Sequence, residues 1–361
     1  MLFTPGRIGS LELPNRLVRS ATAERMADEK GFPKPELEAL YTELAQGGVG
    51  LIITGHMYVA PSGKCHEEMT GIYSDEHIPA LVRLTKTVHK EGGKIAAQIN
   101  HGGGSSNAET VAEPIAPSSA GEPYFMRSAR SMAPGEIEET IQAYAQAARR
   151  AKESGFDAVQ IHGAHGYLIS QFTSPLTNKR NDQWGGNIEN RTRFLRRVCQ
   201  AIREQVGPDY PVFIKFGIID GLEEGLLPEE GIQIISQFIE MGLDAVEISG
   251  GVGYQSTRKG IRKPAEEGYF MPIIEEARPQ TDLPILAVGG FRSRHVMERA
   301  LLSGVADFIS LCRPLIREPG LPNLIQSGER EKSTCISANN CWPTKMNTGI
   351  ACKCPALLEG D

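Results

Sequence analysis

The sequence predicts an α/β protein, built as one (β/α)8 TIM barrel with a cysteine-containing C-terminal tail. Three observations support this prediction. The length of 361 residues suits one barrel with insertions, eight short apolar runs are separated by amphipathic stretches, and the turn Gly-x-Asp-Ala-Val recurs between helix and strand. This turn occurs at residues 155–159 and 242–246 and, in a variant form, at 304–308. A repeating β/α unit should produce such a pattern.

The eight predicted strands are mostly apolar, which is typical of parallel strands that are buried on both faces. They are residues 17–20, 50–54, 95–98, 158–162, 212–216, 245–249, 285–288 and 308–311. A doubly wound parallel sheet is the alternative, but no Gly-x-Gly-x-x-Gly motif follows the first strand. Eight units therefore favour a closed barrel.

Two of the intervening helices can be located from their ends, because proline favours the first helical turn and glycine follows the last one. Pro134 begins one helix, which is predicted to end at Gly155. Pro228 begins another, which is predicted to end at Gly242. The apolar residues of this second helix that are expected to face the core are Ile232, Ile235, Phe238 and Ile239.

The chain is predicted to form one barrel domain over residues 1–325, followed by a cysteine-rich extension over residues 326–361. A net charge of −6 gives no reason to expect nucleic acid or an anionic membrane as partner. No apolar run approaches the ~20 residues of a membrane span, and the N-terminus lacks the pattern of a signal peptide. A cytoplasmic protein is therefore expected.

The stretch that begins at strand four carries the most chemical information. Residues 161–172 read IHGAHGYLISQF and place His162, His165 and Tyr167 just past a strand end, where barrels display catalytic side chains. By spacing alone, His-x-x-His is also compatible with a metal pair, and an isolated histidine is more often structural. Residues 174–194 continue as SPLTNKRNDQWGGNIENRTRF.

Together these motifs resemble the Old Yellow Enzyme family of FMN-dependent NADH:flavin oxidoreductases, over residues 1 to about 325. The branch that is most similar contains the dienoyl-CoA reductases, although the chain shows no match to their additional nucleotide-binding domains. The resemblance implies that FMN is the cofactor and that NAD(P)H, or a partner protein, supplies the electrons. No motif in the sequence distinguishes NADH from NADPH.

The resemblance also implies catalytic roles. Residues matching His162 and His165 hydrogen-bond the carbonyl oxygen of the substrate, and fixed donors there stabilise the negative charge that develops during hydride addition. The residue matching Tyr167 protonates the α-carbon as a general acid. The alternative is that Tyr167 is a packed structural residue, whose hydroxyl forms a hydrogen bond but takes no part in catalysis.

Flavin contacts are implied position by position. Gln98 matches the amide that pairs with the pyrimidine edge, because an amide offers both a donor and an acceptor. Lys215 matches a cation near flavin N1 and O2, with a Schiff-base lysine as the alternative. Ala23 stands where relatives often have Thr or Cys. The full set of residues expected at the flavin ring is Ser20, Ala21, Thr22, Ala23, Gly55, Gln98, His162 and Lys215.

A phosphate site is predicted from the loops after strands seven and eight, where barrels commonly bind phosphate. Glycines allow backbone N–H groups to approach the oxygens, and Arg313 offers a bidentate charge. The residues expected there are Val288, Gly289, Gly290, Cys312 and Arg313, with Ser249, Gly250 and Gly251 after strand six completing the ring.

Four cysteines crowd the tail: Cys335, Cys341, Cys352 and Cys354. Longer relatives carry a [4Fe-4S] cluster here, but their motif needs a cysteine at the position of Ala338, so an intact cluster is not expected. A zinc site built from the same thiols is the other alternative. Reduced thiols without a metal are the preferred interpretation.

The predicted function is NAD(P)H-dependent reduction of the activated C=C bond of a small enone or enal. One alternative is a flavin-dependent amine dehydrogenase or demethylase, which would need aromatic side chains around a cationic amine, and Trp184 and Tyr167 are the nearby candidates. Another alternative is a non-catalytic flavin or phosphate binder. A homo-oligomer is a further expectation from similar enzymes.

Overall fold

The computed structural model describes residues 1–107, 109–119, 129–252, 263, 265–343 and 348–355. Eight parallel strands form a closed barrel, which confirms the predicted fold class. The strands are β1 (Leu17–Arg19), β2 (Leu51–Ile53), β3 (Ile95–Asn100), β4 (Ala158–Gly163), β5 (Val212–Gly217), β6 (Val246–Ser249), β7 (Ile285–Val288) and β8 (Phe308–Leu311). Neighbouring strands pair in chain order, and β8 closes the ring on β1. Each predicted strand agrees with the structure within two residues at either end.

The helices of the described chain lie between and after these strands. They are α1 (Pro35–Gln46), α2 (Ile78–Lys90), α3 (Pro134–Glu153), α4 (Leu168–Thr173), α5 (Ile188–Val206), α6 (Pro228–Ile235), α7 (Met271–Ala277), α8 (Arg294–Leu302), α9 (Arg313–Arg317) and α10 (Leu321–Ser327). The first predicted helix is confirmed as α3. The second prediction was too long, because α6 ends at Ile235 and turns follow up to Gly242. Ile239 lies after the end of α6 and is 51% exposed, so it does not face the core as predicted. Ile234, which was not among the predicted core residues of this helix, is fully buried.

Side chains that point into the barrel form layers, because successive residues of a strand point to opposite faces. The lowest layer is apolar and includes Val18, Phe213 and Phe308. An N-terminal hairpin, Gly6–Ile8 paired with Leu11–Leu13, packs against this layer. Water is therefore excluded from the N-terminal end of the barrel, and the polar positions of the same strands lie nearer its C-terminal mouth.

The C-terminal tail packs against this mouth. Ile350 N donates to Glu24 O (2.9 Å) in the loop after β1. Arg317 Nη1, in α9, donates to Cys354 O (3.2 Å). Among the described residues, no helix combines the length and apolar character needed to cross a bilayer.

Candidate active site

A chain of buried polar side chains crosses the barrel interior above the apolar layer. Gln98 Nε2 donates to Gln160 Oε1 (2.6 Å), and Gln160 Nε2 donates to Glu247 Oε2 (2.9 Å). Ser20 Oγ donates to Glu247 Oε1 (2.6 Å), and Lys215 Nζ donates to Ser20 Oγ (2.8 Å). Lys215 Nζ also lies 3.3 Å from Glu247 Oε1, as an ion pair. All five side chains are buried, so each depends on this network for its hydrogen bonds.

Strand register explains why these residues meet. Gln98 lies opposite Gln160 across β3 and β4, and Lys215 lies opposite Glu247 across β5 and β6. Gln160 and Glu247 were not predicted as site residues. Their signal in the sequence is a polar residue inside an otherwise apolar strand, and Gln160 lies two residues before His162 on the same face.

The three predicted catalytic residues come together at the end of β4. The ring centroids of His162 and His165 are 5.2 Å apart, and those of His162 and Tyr167 are 4.9 Å apart. His165 has φ of 65° and Gly166 has φ of 79°, so the chain reverses there before α4. His165 Nε2 pairs with Ser249 Oγ (2.9 Å) at the end of β6.

A further histidine, His56, adjoins this group and was missed by the sequence analysis. Its ring centroid lies 5.0 Å from Tyr167 and 5.9 Å from His162. Asn100 Nδ2 donates to His56 Nδ1 (2.9 Å), so the neutral ring carries its proton on Nε2. Burial, and then the Arg25 charge, lower the pKa of His56 to about 4. Its position just after β2 was the available signal, because barrel sites are built from strand ends.

The loop after β1 is fixed by a buried carboxylate, Glu24. Its Oε1 lies 2.9 Å from Arg19 Nη2, accepts from Tyr41 Oη (2.8 Å) and accepts from Gly55 N (3.1 Å). A Cβ at Gly55 would lie 2.0 Å from Glu24 Oε2 and 2.6 Å from Thr22 O. Glycine is therefore required at position 55 by packing of the chain itself, in addition to its predicted place beside the flavin.

The other predicted residues of the β1 loop lie at the barrel mouth. Ala21 and Ala23 are half-buried. Thr22 Oγ1 lies 3.1 Å from Cys312 Sγ, which joins the loop after β1 to the loop after β8. The two ends of the ring of strands are thus brought together where the flavin is expected.

The predicted phosphate residues lie at the ends of β6, β7 and β8. Gly251, Gly289 and Gly290 all have positive φ, at 82°, 141° and 77°, a backbone shape that favours glycine and exposes N–H groups. Val288 is half-buried, and a Cβ at Gly250 would lie 2.8 Å from Ile219 Cγ2. Arg313 Nη1 donates to Asn339 Oδ1 (2.8 Å) and to Ser337 O (3.1 Å) in the tail.

These residues fit an FMN molecule. Lys215 is a buried cation with three donors, and Ser310 Oγ, on the inward face of β8, is buried without a hydrogen-bond partner. Gln98, in β3, offers a side-chain amide. The positive-φ glycines at the ends of β6 and β7, together with Arg313, offer a cradle for a phosphate. This set of polar groups therefore suits a ligand that has a ring with a polar edge at one end and a phosphate at the other.

The tail cysteines are free thiols. Cys335 and Cys341 are buried, and Arg317 Nη1 donates to Cys352 Sγ (3.3 Å). Burial, followed by the other nearby thiols, raises the pKa of Cys341 to about 11. Within the described ranges, no three His, Cys, Asp or Glu side chains are arranged to hold a metal ion.

Comparison with known proteins identifies the family. The sequence profile of the NADH:flavin oxidoreductase / NADH oxidase family matches residues 1–332. The chain belongs to this family. Its members are FMN-dependent, NAD(P)H-using oxidoreductases, and this confirms the resemblance predicted from the strand-four motifs.

Individual relatives agree with this assignment. An NADPH dehydrogenase from Geobacillus sp. (strain WCH70) is 38% identical, over 94% of this chain and 96% of that protein. An NADH oxidase from Thermoanaerobacter brockii is 36% identical, and the match covers 98% of this chain but 55% of that protein. The chain therefore spans about half the length of the longer relatives.

Solved structures show the same fold. An Old Yellow Enzyme homologue from Zymomonas mobilis superposes with a TM-score of 0.79 at 27% identity, over 93% of this chain and 95% of that one. A 2-naphthoyl-CoA reductase complex superposes with a TM-score of 0.85 at 32% identity, over 91% of this chain and 52% of that one.

Proposed function

We propose that this protein is an ene-reductase, which uses NAD(P)H and FMN to reduce the activated C=C bond of a small α,β-unsaturated carbonyl compound. The observation that carries the proposal is the meeting of His162, His165 and Tyr167 directly beside the buried Lys215 layer. Donors for an oxyanion and a proton donor thus lie on the side of the barrel where the flavin is expected.

Bound FMN supplies the hydride that reduces the C=C bond. Gln98 is suited to hold the pyrimidine edge of the ring, and Lys215 is suited to the side that becomes anionic on reduction. Gly289, Gly290 and Arg313 are suited to hold the phosphate. The chain's own residues therefore orient both ends of the cofactor.

His162 and His165 are proposed to hold the carbonyl oxygen of the substrate. Addition of hydride to the β-carbon moves negative charge onto this oxygen, and two preorganised N–H donors stabilise that charge. His165 is bonded to Ser249 in this structure, so substrate binding would replace the Ser249 hydroxyl with the carbonyl oxygen.

Tyr167 is proposed to deliver the proton to the α-carbon. The ring centroids of His162 and His56 lie 4.9 Å and 5.0 Å from that of Tyr167. Because His56 is buried with a pKa of about 4, it stays neutral and adds no charge that would change the acidity of the phenol.

Oxidation of a cationic amine is less well supported. That reading needs aromatic rings around the amine, and Trp184 was one of the two candidates. Trp184 is 2% exposed and packs in the hydrophobic core, so its ring is not available to a ligand at the barrel mouth.

The test is an anaerobic absorbance experiment on the purified holoenzyme. NAD(P)H should bleach the flavin band and 2-cyclohexenone should restore it. Tyr167→Phe should slow reoxidation by about 100-fold or more, the usual contribution of a general acid. The control Tyr210→Phe makes the same change just before β5, at the opposite end of the barrel, and should not slow reoxidation. Flavin that bleaches but is not reoxidised by enones would refute the proposal, and protein that never bleaches would indicate a non-catalytic binder.

A further inference from the structure

Buried polar atoms without hydrogen-bond partners lie around His56, whose ring adjoins the proposed catalytic tyrosine. Among the residues that the structure describes, four such atoms belong to three neighbouring side chains: Arg25 Nε, His66 Nδ1, His66 Nε2 and Asn100 Oδ1. Asn100 is fully buried, and His66 is 9% exposed. An unmet buried polar group is costly, so this concentration indicates a place that a polar ligand completes.

The ring of His56 connects these atoms to the active site. It lies 5.8 Å from the His66 ring and 5.0 Å from the Tyr167 ring, and its Nδ1 accepts from Asn100. The order across the mouth is therefore His165, His162, Tyr167 with His56, and then His66. A substrate whose carbonyl oxygen contacts His162 and His165 would extend past Tyr167 towards His66.

Arg25 and Lys64 bring positive charge to this region, and Glu68 brings negative charge. Burial is the main cause that lowers the pKa of His66, to about 2, and the charges of His56, Arg25 and Lys64 add to it. In the described part of the chain, the acidic partner of Arg25 is Glu68, whose Oε2 lies 3.9 Å from Arg25 Nη1, beyond hydrogen-bond distance. Glu68 Oε2 lies equally far from His66 Nδ1.

Lys64 is already engaged, because its Nζ donates to Glu29 O (2.5 Å). Arg25, by contrast, is one-third exposed and lies over the Trp342 ring at 5.6 Å. A guanidinium that is only loosely paired, next to neutral imidazole N–H groups, matches the acceptor oxygens of a carboxylate.

We propose that Arg25, His56 and His66 form a carboxylate subsite, and that the substrate is an α,β-unsaturated carbonyl compound carrying a separate carboxylate on the side of the alkene away from His165. This inference rests on the proposed function for the identity of the reacting group. The subsite itself rests on the unpaired buried donors, which are Arg25 Nε and one ring N–H of His66, and on the Arg25 charge.

The first test measures binding without turnover. Calorimetry of the FMN-loaded enzyme would compare 3-oxocyclohexanecarboxylate, which has no C=C bond, with its methyl ester. We expect the wild-type protein to bind the carboxylate about tenfold or more tightly than the ester, the size of one charge-assisted hydrogen bond. Arg25→Gln should abolish this preference, and Arg25→Lys should restore part of it. The control Arg83→Gln, on the exposed face of α2, should keep it.

The second test measures the ratio of kcat/KM for a 2-cyclohexenone that carries a carboxylate on a saturated ring carbon and for its methyl ester. The ratio should favour the acid in the wild-type protein and fall about tenfold in Arg25→Gln. Equal values for acid and ester, together with rapid reduction of both, would overturn the subsite and leave the proposed function intact. Tight carboxylate binding that Arg25→Gln abolishes, without reduction of either enone, would support the subsite and overturn the proposed function.

Discussion

At the scale of single residues, the most consequential feature is a carboxylate that the sequence analysis did not select. Glu247 is fully buried, faces Lys215 at 3.3 Å and accepts hydrogen bonds from Ser20 and Gln160. A lone Lys215 would present a full positive charge to a flavin ring bound at the proposed site. With Glu247 behind it, much of that charge is compensated.

Replacement of Glu247 should therefore change the redox chemistry of the bound flavin. In Glu247→Gln the Lys215 charge is no longer compensated, so the anionic reduced ring is favoured and the midpoint potential should rise. A rise of about 30 mV would correspond to ~1.4 kcal/mol for a two-electron couple. Potentiometric titration of the holoenzyme measures it. Glu12→Gln, in the exposed position of the N-terminal hairpin, is the control, and an unchanged or lower potential in Glu247→Gln would contradict the assignment.

His56 should make stability depend on pH. Its pKa of about 4 in the folded protein lies below the ~6.5 of an unfolded chain, so between these values the unfolded state binds more protons. The free energy of unfolding should consequently fall as pH drops through this window, by about 2 kcal/mol between pH 7 and pH 5 from this residue. Urea unfolding at both pH values should show a loss smaller by this amount in His56→Asn. Equal losses in the variant and the wild-type protein would mean that His56 titrates normally.

At the scale of elements, the strands were predictable because each is a run of apolar residues, and such a run indicates a strand that is buried on both faces. Site residues could be proposed from the sequence only where a residue lies at the end of a strand, as with His162, or matches a family motif, as with Gln98. Gln160 and Glu247 were missed because their partners depend on the register between strands, which the linear pattern does not contain. The end of α6 was missed because Ile239 continues the helical spacing although the chain has already turned.

The contact between the loop after β1 and the loop after β2 offers a test of packing at this scale. Gly55→Ala would place a Cβ at 2.0 Å from Glu24 Oε2 and displace the carboxylate that Arg19 and Tyr41 hold. Overpacking of this kind should lower the free energy of unfolding by about 1–3 kcal/mol and weaken FMN retention. Gly135→Ala is the matched control, because its Cβ would meet nothing within 4 Å and it lies in α3. Chemical denaturation of both variants distinguishes them, and equal stabilities would show that the loop adjusts freely.

At the scale of the whole molecule, the proposed cofactor site joins segments that are far apart in the sequence. Ser20, just after β1, bonds to Lys215 in β5 and to Glu247 in β6. Thr22 contacts Cys312 after β8. The C-terminal tail contacts the same mouth, where Asn339 accepts a hydrogen bond from Arg313 and Ile350 donates one to Glu24. A ligand that touches all these segments stabilises the closed barrel as one unit, because it binds only the folded state.

Cofactor removal should therefore destabilise the entire barrel, and the phosphate should account for part of the effect. FMN present at 100 times its Kd should add about 2.7 kcal/mol to the free energy of unfolding of the apoprotein. Riboflavin, which lacks the phosphate, should raise the Tm less at the same concentration. Arg313→Gln should bring the two shifts closer together, because the proposed contact of the guanidinium to the phosphate would be lost. Arg299→Gln, on the exposed face of α8, should not. Thermal unfolding with each flavin measures the difference, and an Arg313→Gln variant that keeps the full preference for FMN would place the phosphate elsewhere in the mouth.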